Sequence, residues 1–323
     1  MTPCVLMGSG AFALPSFTAL VARGSSIGIA PALIVSQPDR PAGRGRETQP
    51  TPVSAWAVAS GLELIRVDDV NDGRVRGRID ELGIRTAIVI AFGQKLSPSL
   101  LDGLNAVNLH GSLLPRWRGA APIQRSLMAG DSEVGISVIE VTDRMDAGRV
   151  LARAATSVDD GETSGELHDR LAMLGVEPLI RVVGTVAACA ALSAVAGDPQ
   201  DELLATRARK LGRADAWVDF RESAAKVAAR INGLSPWPGV DAIIEGTPLR
   251  VLRARVASSA GVGAVAGCVM ADGAVACGEG AVQLLSVQAP GGRPCAFDAY
   301  RHGRRLAVGA RVCSPLAPGE GRE

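Results

Sequence analysis

A chain of 323 residues, 47% hydrophobic and 21% charged, has room for about two domains and the balance of an ordinary globular protein, which excludes a disordered or fibrous one. Aromatic residues are only 3%, so the core is expected to rest on Val, Leu, Ile and Ala. The net charge is +1, yet residues 1–204 carry 18 Lys and Arg against 23 Asp and Glu while residues 205–323 carry 16 against 10, and a basic half after an acidic one suggests a polyanionic partner held by the second half.

Apolar runs stay well short of the ~18 residues of a membrane helix, and the N-terminus enters the apolar stretch Pro3–Gly8 with no basic segment ahead of it. Neither a membrane span nor a signal peptide is expected, and the expected compartment is the cytoplasm. Cys4, Cys189, Cys268, Cys277, Cys295 and Cys313 are scattered without a C-x-x-C pair, and the chain has three His. Buried, reduced thiols and no metal site are the expectation.

In chain order, C-V-L-M (4–7) reads as a short strand ending in Gly8-Ser9-Gly10. Leu14, Phe17, Leu20 and Val21 follow at helical spacing, stopped by Gly24. A-L-I-V (32–35) is a second strand. Thr51-Pro52 forms an N-cap and first position for a helix over 52–60. A strand over 64–67, a helix over 72–82, the apolar strand T-A-I-V-I-A (86–91), a short helix capped by Ser97-Pro98 and the strand A-V-N-L-H (106–110) continue the alternation. This βαβ rhythm predicts an α/β, doubly wound, Rossmann-like parallel sheet covered on both faces. The glycine turn does not make it a dinucleotide site, because the pattern stops at G-x-G with Ala13 next, and Gln37-Pro38-Asp39-Arg40 puts no acidic residue at the end of the second strand.

Pro122 is placed to open a helix ending near Gly130, and 135–141 with 150–152 read as a hairpin-like pair around an acidic loop. Thr163 and Glu166 predict a capping box on a long helix reaching about 192. The small, polar, Pro-containing residues 194–204 are expected to be a linker after a catalytic domain of 1–193. Residues 205–315 change character. A helix over 222–232 precedes short alternating segments punctuated by Glu245-Gly246, Asp272-Gly273 and Gly278-Glu279-Gly280, which predicts a small OB-like β-barrel, with 316–323 as a flexible tail.

The chemistry concentrates in N-L-H-G-S-L-L-P-R-W-R-G-A-A-P-I-Q (108–124). Residues two apart on a strand share a face, so Asn108 and His110 point together while Val107 and Leu109 anchor the other side. They stand where a parallel strand gives way to a loop, the end at which open α/β sheets bind ligands. An amide N–H and an imidazole converging there suit a carbonyl oxygen that gains negative charge; the plainer alternative is that both side chains close a turn. Asp143 and Asp146 in the acidic loop are equal candidates for a carboxylate that orients the ring and manages protons. Ser112, Leu113, Leu114 and Pro115 offer an apolar wall and backbone groups apt for a flat heteroaromatic ring. Arg116, Trp117 and Arg118 are either surface residues or contacts to phosphate or a glutamate tail. The loop Q-P-D-R-P-A-G-R-G-R-E (37–47) carries Arg40, Arg44 and Arg46 and reads equally as a solvated basic loop. His168 and His302 join no polar motif and are expected to be structural or solvated.

The 108–124 segment together with D-A-G at 146–148 resembles the folate-dependent formyltransferases. The loop 37–45, T-S-G-x-L at 163–167 and S-P-W-P-G at 235–239 are similar to the members of that family that act on charged tRNA, and the likeness runs from about residue 4 to 310. It implies a Rossmann-like catalytic domain with an OB-like tRNA-binding domain. It further implies transfer of formyl from 10-formyltetrahydrofolate to the α-amine of methionyl initiator tRNA, by a bacterial cytoplasmic monomer that needs no metal. Asn108, His110 and Asp146 would be the catalytic trio, with Asn108 and His110 stabilising the oxyanion of a tetrahedral intermediate and Asp146 fixing His110 and assisting proton removal. The resemblance, not the spacing, selects Asp146 over Asp143. Ser112, Leu113, Leu114 and Pro115 would contact the folate, and Arg40, Arg44 and Arg46 the acceptor end of the tRNA. Two departures stand out: G-S-G-A-F at 8–12 replaces G-T-P-x-F, and Phe92 replaces a frequent Tyr. The rival readings are a formyltransferase for glycinamide ribonucleotide or an amino sugar, and a non-catalytic RNA-binding relative. The second domain argues against the first, the Arg-rich loop against the second, and the intact trio against the third.

Overall fold

Alternation of apolar strands with capped helices produces the expected sheet. The computed structural model describes residues 1–42, 47–258 and 263–314. Its first strands are β1 (Thr2–Gly8), β2 (Ile29–Ser36), a small hairpin of β3 (Arg40–Ala42) and β4 (Glu47–Gln49), β5 (Leu64–Arg66), β6 (Thr86–Ile90), β7 (Asn105–His110) and the two-residue β8 (Arg118–Gly119). β9 (Glu133–Glu140) and β10 (Val150–Ser157) follow. Seven of these form one sheet in the order β10-β9-β7-β6-β1-β2-β5. The pairs from β7 across to β5 are parallel, and β9 returns antiparallel to β7. β1 lies between β6 and β2, and its Cys4, Val5, Leu6 and Met7 are fully buried, as a strand covered on both faces requires. The hairpin β3–β4 was not expected; its connecting residues, which include Arg44 and Arg46, lie outside the described ones, as does the expected tail 316–323.

Local capping explains the helices. α1 (Leu14–Arg23) buries Phe17 and Leu20. The Thr51 hydroxyl accepts from the Ser54 N–H at 3.0 Å to start α2 (Pro52–Ala59). Asp72 starts α3 (Gly73–Glu81), and Ser97 starts α4 (Pro98–Leu101). α5 (Pro122–Met128) opens on Pro122. At 163 the capping box forms as predicted: the Thr163 N–H donates to Glu166 at 2.9 Å and the Thr163 hydroxyl accepts from the Glu166 N–H at 3.4 Å. The Thr163 N–H, with the Thr163 hydroxyl and the Arg253 guanidinium, holds the Glu166 carboxyl below the usual carboxylate range.

The single long helix expected from 163 to 192 runs instead as α6 (Ser164–Leu174) and α7 (Val176–Cys189), which meet at Gly175. A side-chain carbon at 175 would come within 2.6 Å of Leu109, so glycine lets the helix press against β7. The stretch Ser164–Cys189 is long and apolar enough to cross a membrane, but α7 turns Leu179, Val183 and Val186 into the protein interior.

The chain packs as two units: one of Met1–Pro122, Gly135–Thr156 and His168–Ala208, the other of Ile123–Val134, Ser157–Leu167 and Arg209 onward. Residues 194–204, expected as a linker, lie in the first unit, where Val150 and Asp198 exchange two backbone hydrogen bonds of 2.9 Å. Backbone pairing uses groups that every residue carries, so a stretch without hydrophobic period can still dock on a strand. β11 (Arg207–Ala208) pairs in parallel with β8.

In the second unit α8 (Ala224–Gly233) precedes β12 (Val240–Ile244), β13 (Thr247–Val256), β14 (Val275–Ala276), β15 (Ala281–Gln288), β16 (Cys295–Ala296), α9 (Phe297–Gly303) and β17 (Val312–Cys313). The strands form a nearly closed antiparallel barrel in the order β14-β15-β13-β12-β17, with β16 on β15. Glu245 and Gly246 make the β12–β13 turn with φ of 45° and 73°, the backbone that a two-residue hairpin demands. Asn232 of α8 both donates to and accepts from the Ala254 backbone, which locks helix to barrel. The short α9 escaped the sequence reading; its signal was Phe297 and Tyr300, three apart and both buried.

The cysteines are all free, but only Cys4 and Cys277 are buried, while Cys189, Cys295 and Cys313 are exposed and Cys268 lies between. This corrects the expectation of uniformly buried thiols. Burial pushes the Cys4 thiol up to about 12 and that of Cys277 up to about 11. Native maleimide labelling read by peptide mass spectrometry should therefore modify Cys189, Cys295 and Cys313 and spare Cys4 and Cys277 until denaturant is added; labelling of Cys4 at the rate of Cys189 in the folded protein would contradict this packing.

Candidate active site

β7 delivers its two polar side chains from a rigid base. Val107 and Leu109 are 1% and 2% exposed, and Leu109 packs on Gly175. The alternation then sends Asn108 and His110 to the opposite face, where Asn108 is opposite Ile139 and His110 opposite Ser137 of β9. Asn108 is half-buried, and among the described residues its carboxamide has no hydrogen-bond partner. A polar group so placed is available to a ligand.

His110 is 6% exposed, and its ring orientation is set by one strong contact: Nε2 lies 2.9 Å from the Trp117 carbonyl oxygen. That oxygen only accepts, so Nε2 carries a proton. Nδ1 faces Asp146, with 3.7 Å to Oδ1. This is ion-pair range but too long for a hydrogen bond, so a proton at Nδ1 would be attracted by the carboxylate without being bonded to it.

Asp146 is the carboxylate the geometry brings to the ring, whereas Asp143, its equal on spacing alone, is exposed. Asp146 Oδ2 accepts from the Gly119 N–H at 2.9 Å. The Asp146 backbone lies in the left-handed region at φ 52°. Two residues on, Gly148 passes so close to β9 that a side-chain carbon would fall 1.9 Å from the Glu140 carbonyl oxygen, so no other residue fits there.

Between these two side chains the 111–119 segment folds as a pinned turn. Ser112 Oγ donates to the Arg116 carbonyl at 2.7 Å. Ser137 on β9 donates to the Ser112 carbonyl and accepts from the Leu114 N–H. Ser112 and Leu114 are therefore turned inward, and Leu114 packs with Ile139 and Val150. Leu113 and Pro115 are half-buried. An apolar wall of this kind, next to the unpartnered Asn108 amide, fits a flat ring carrying an acyl group. Trp117 ends the turn with φ 65°, a conformation rare for a bulky residue.

The arginines separate. Arg118, read as surface or phosphate-binding, keeps 12% of its side-chain exposure and is consumed internally, donating to Gln200 at 2.9 Å and pairing with Glu202 at 3.0 Å. Arg116 is exposed and stacks 5.3 Å from the Trp117 ring centre. Arg40 on β3 is exposed, 3.9 Å from Asp68. The Gly8-Ser9-Gly10 turn is used for closure of the sheet: Gly8 touches Ile90 and Phe17, and Ser9 Oγ donates to the Phe92 carbonyl. The Phe92 ring sits in the core cluster. His168 stacks edge-on against Phe12 at 5.3 Å.

Two residues of the site escaped the sequence reading. Gln200 Nε2 donates to the carbonyls of Asp146 and Gly148 at 2.8 and 2.7 Å, and Thr206 Oγ1 accepts from the Trp117 N–H at 2.8 Å. Neither stands in a motif, and no local signal marks them.

A family described as formyl transferase matches residues 4–183, and one described as formyl transferase, C-terminal domain, matches residues 210–305. The methionyl-tRNA formyltransferase of Methylococcus capsulatus is 38% identical over 308 residues, 94% of this chain and 97% of that one. That of Heliobacterium modesticaldum is 37% identical over 320 residues, 95% and 98% of the two chains. Among solved structures, the sugar 3N-formyl transferase WlaRD shares the fold with a TM-score of 0.62 at 11% identity, covering 87% of this chain and 96% of that one. With matching domains along most of its length and full-length relatives well above 30% identity, this chain belongs to the methionyl-tRNA formyltransferase family.

Proposed function

We propose that the chain transfers the formyl group of 10-formyltetrahydrofolate to the α-amine of methionyl initiator tRNA. The observation that carries the reading is the His110–Asp146 pair two residues on from an Asn108 amide that has no partner among the described residues, at the end of a parallel strand. The folate, when bound, supplies a formyl carbon activated on nitrogen, and Leu113 and Pro115 would flank its ring while the inward Ser112 and Leu114 shape the turn.

Asn108 donates an N–H to the formyl oxygen as it gains negative charge. Its amide is bound to no described group beforehand, so no protein hydrogen bond is broken to make this one. With Nε2 committed to Trp117, His110 offers Nδ1 to the reaction. Nδ1 takes the proton released when the amine bonds to the formyl carbon, and then returns it to the folate nitrogen as the old C–N bond breaks. Asp146 stabilises the imidazolium between these events from 3.7 Å. His110 is thus a proton carrier that becomes a donor once charged, a sharper role than oxyanion stabilisation alone.

The basic surplus of residues 205–323 and the loop bearing Arg40, Arg44 and Arg46 supply cations for tRNA phosphates and base edges. The same reading makes the protein a cytoplasmic monomer in a bacterial cell. Full-length methionyl-tRNA relatives favour this substrate over an amino sugar, because the sugar enzymes share only the fold.

Three outcomes test the reading with purified protein, 10-formyltetrahydrofolate and charged initiator tRNA. His110→Ala should lower kcat by about 10²–10⁴-fold with tRNA affinity by filter binding unchanged, and full turnover would remove the ring from the reaction. Asn108→Ala should cost about 10²–10³-fold in kcat; a change confined to KM would mean that the amide serves binding only. Arg44→Ala should impair formylation at limiting tRNA, by a factor that shrinks as salt rises because the variant neutralises fewer phosphates, with folate affinity retained. Normal rates there would detach the loop from tRNA.

A further inference from the structure

Trp117 and Asp146 share an unusual position. Each adopts a left-handed backbone, at φ 65° and 52°, and each faces His110: Trp117 through its carbonyl on Nε2, Asp146 through its carboxylate opposite Nδ1. Each is also tied to the same stretch of chain, residues 198–208. The Thr206 hydroxyl accepts from the Trp117 N–H at 2.8 Å, and the Thr206 carbonyl accepts from the Arg118 N–H at 2.9 Å. Gln200 Nε2 spends both hydrogens on the Asp146 and Gly148 carbonyls, while its Oε1 accepts from Arg118 Nε at 2.9 Å. Two carbonyl partners demand the amide nitrogen and the guanidinium demands the oxygen, so the orientation of the Gln200 carboxamide is fixed by its partners.

We propose that residues 198–208 form a strap in which Gln200 and Thr206 are positioning residues for catalysis, setting the His110–Asp146 separation from both sides. The proposal rests on the assignment of His110 and Asp146 to the reaction. Neither strap residue touches the reacting atoms. Thr206 fixes the peptide that orients the ring, and Gln200 fixes the peptide that carries the carboxylate. Without Gln200, the Asp146 and Gly148 carbonyls lose their common donor, and the loop is free to leave the left-handed turn that aims Asp146 at Nδ1.

Four variants of the full-length enzyme test this: Gln200→Ala, Gln200→Glu, Thr206→Val and Thr206→Ser. Gln200→Glu keeps an acceptor for Arg118 but cannot donate to the two carbonyls. Gln200→Ala, Gln200→Glu and Thr206→Val should each lower kcat roughly tenfold to a hundredfold with KM for tRNA and folate unchanged, the scale of a small misplacement of catalytic groups. Thr206→Ser, which retains the hydroxyl, should restore the rate. The decisive measurement is a double-mutant cycle: in an Asp146→Asn background, Gln200→Glu should cause no further loss of kcat, because the group it positions is already gone. An additive loss in that background, or a folded Gln200→Glu enzyme with full kcat, overturns the strap. Failure of the underlying assignment looks different, since Asp146→Asn alone would then retain its activity.

Discussion

The geometry of the site depends on two peptides held in a region of backbone space that side chains avoid. Trp117 and Asp146 each cost of order 1–3 kcal/mol for their left-handed conformation. A single intramolecular hydrogen bond contributes about 0.5–1.5 kcal/mol net, so one contact matches at most the low end of that strain. Trp117 has its N–H on Thr206 and its carbonyl on His110; Asp146 has Gly119 on its carboxylate and Gln200 on its carbonyl. Only the combined ties offset the strain. The approach of His110 to Asp146 is therefore a property of the surrounding network and not of the two side chains by themselves.

The sheet supplies what that network cannot. β7 carries Asn108 and His110 from a base that is buried on its other face, and α7 approaches it closely because position 175 lacks a side chain. On the far side, Gly148 lets the acidic loop return tightly against Glu140. These two glycines act through distance, one by admitting a helix and the other by admitting a loop, and both approaches converge on the strand end where the polar groups meet. A parallel sheet suits the task because its strand ends lie together and its connecting loops are long enough to carry further groups.

Family membership and the local geometry supply different parts of the account. The relatives fix the class of enzyme, through matches that span both domains. The fold decides which ring nitrogen faces the carboxylate, and it leaves the Asn108 amide beside it without a partner among the described residues. Arg118 illustrates the difference. Next to Trp117 in a basic run it reads either as a surface residue or as a contact to phosphate or a glutamate tail, yet its guanidinium is almost fully spent on Gln200 and Glu202. Charge in a sequence says that a cation is present; only packing says whether it is available.

Much of the architecture was legible because it rests on local rules. Continuous apolar runs place β1 and β6, strand alternation marks β7 and 3.6-residue spacing places α1; Thr51, Ser97 and Thr163 mark helix starts because their side chains bond within three residues; Glu245-Gly246 turns the barrel hairpin because few other pairs accept its backbone. The pairing of Asn108 with His110 follows from strand alternation in the same way. What spacing left open was decided by tertiary contact: Asp146 over Asp143, the inward turn of Ser112 and Leu114, the exposure of three cysteines, and the docking of residues 194–204 on the first unit instead of a free linker. Gln200 and Thr206 mark the limit most clearly. Their partners stand 54 and 89 positions away, and a side-chain hydrogen bond to so distant a peptide leaves no pattern in the local sequence.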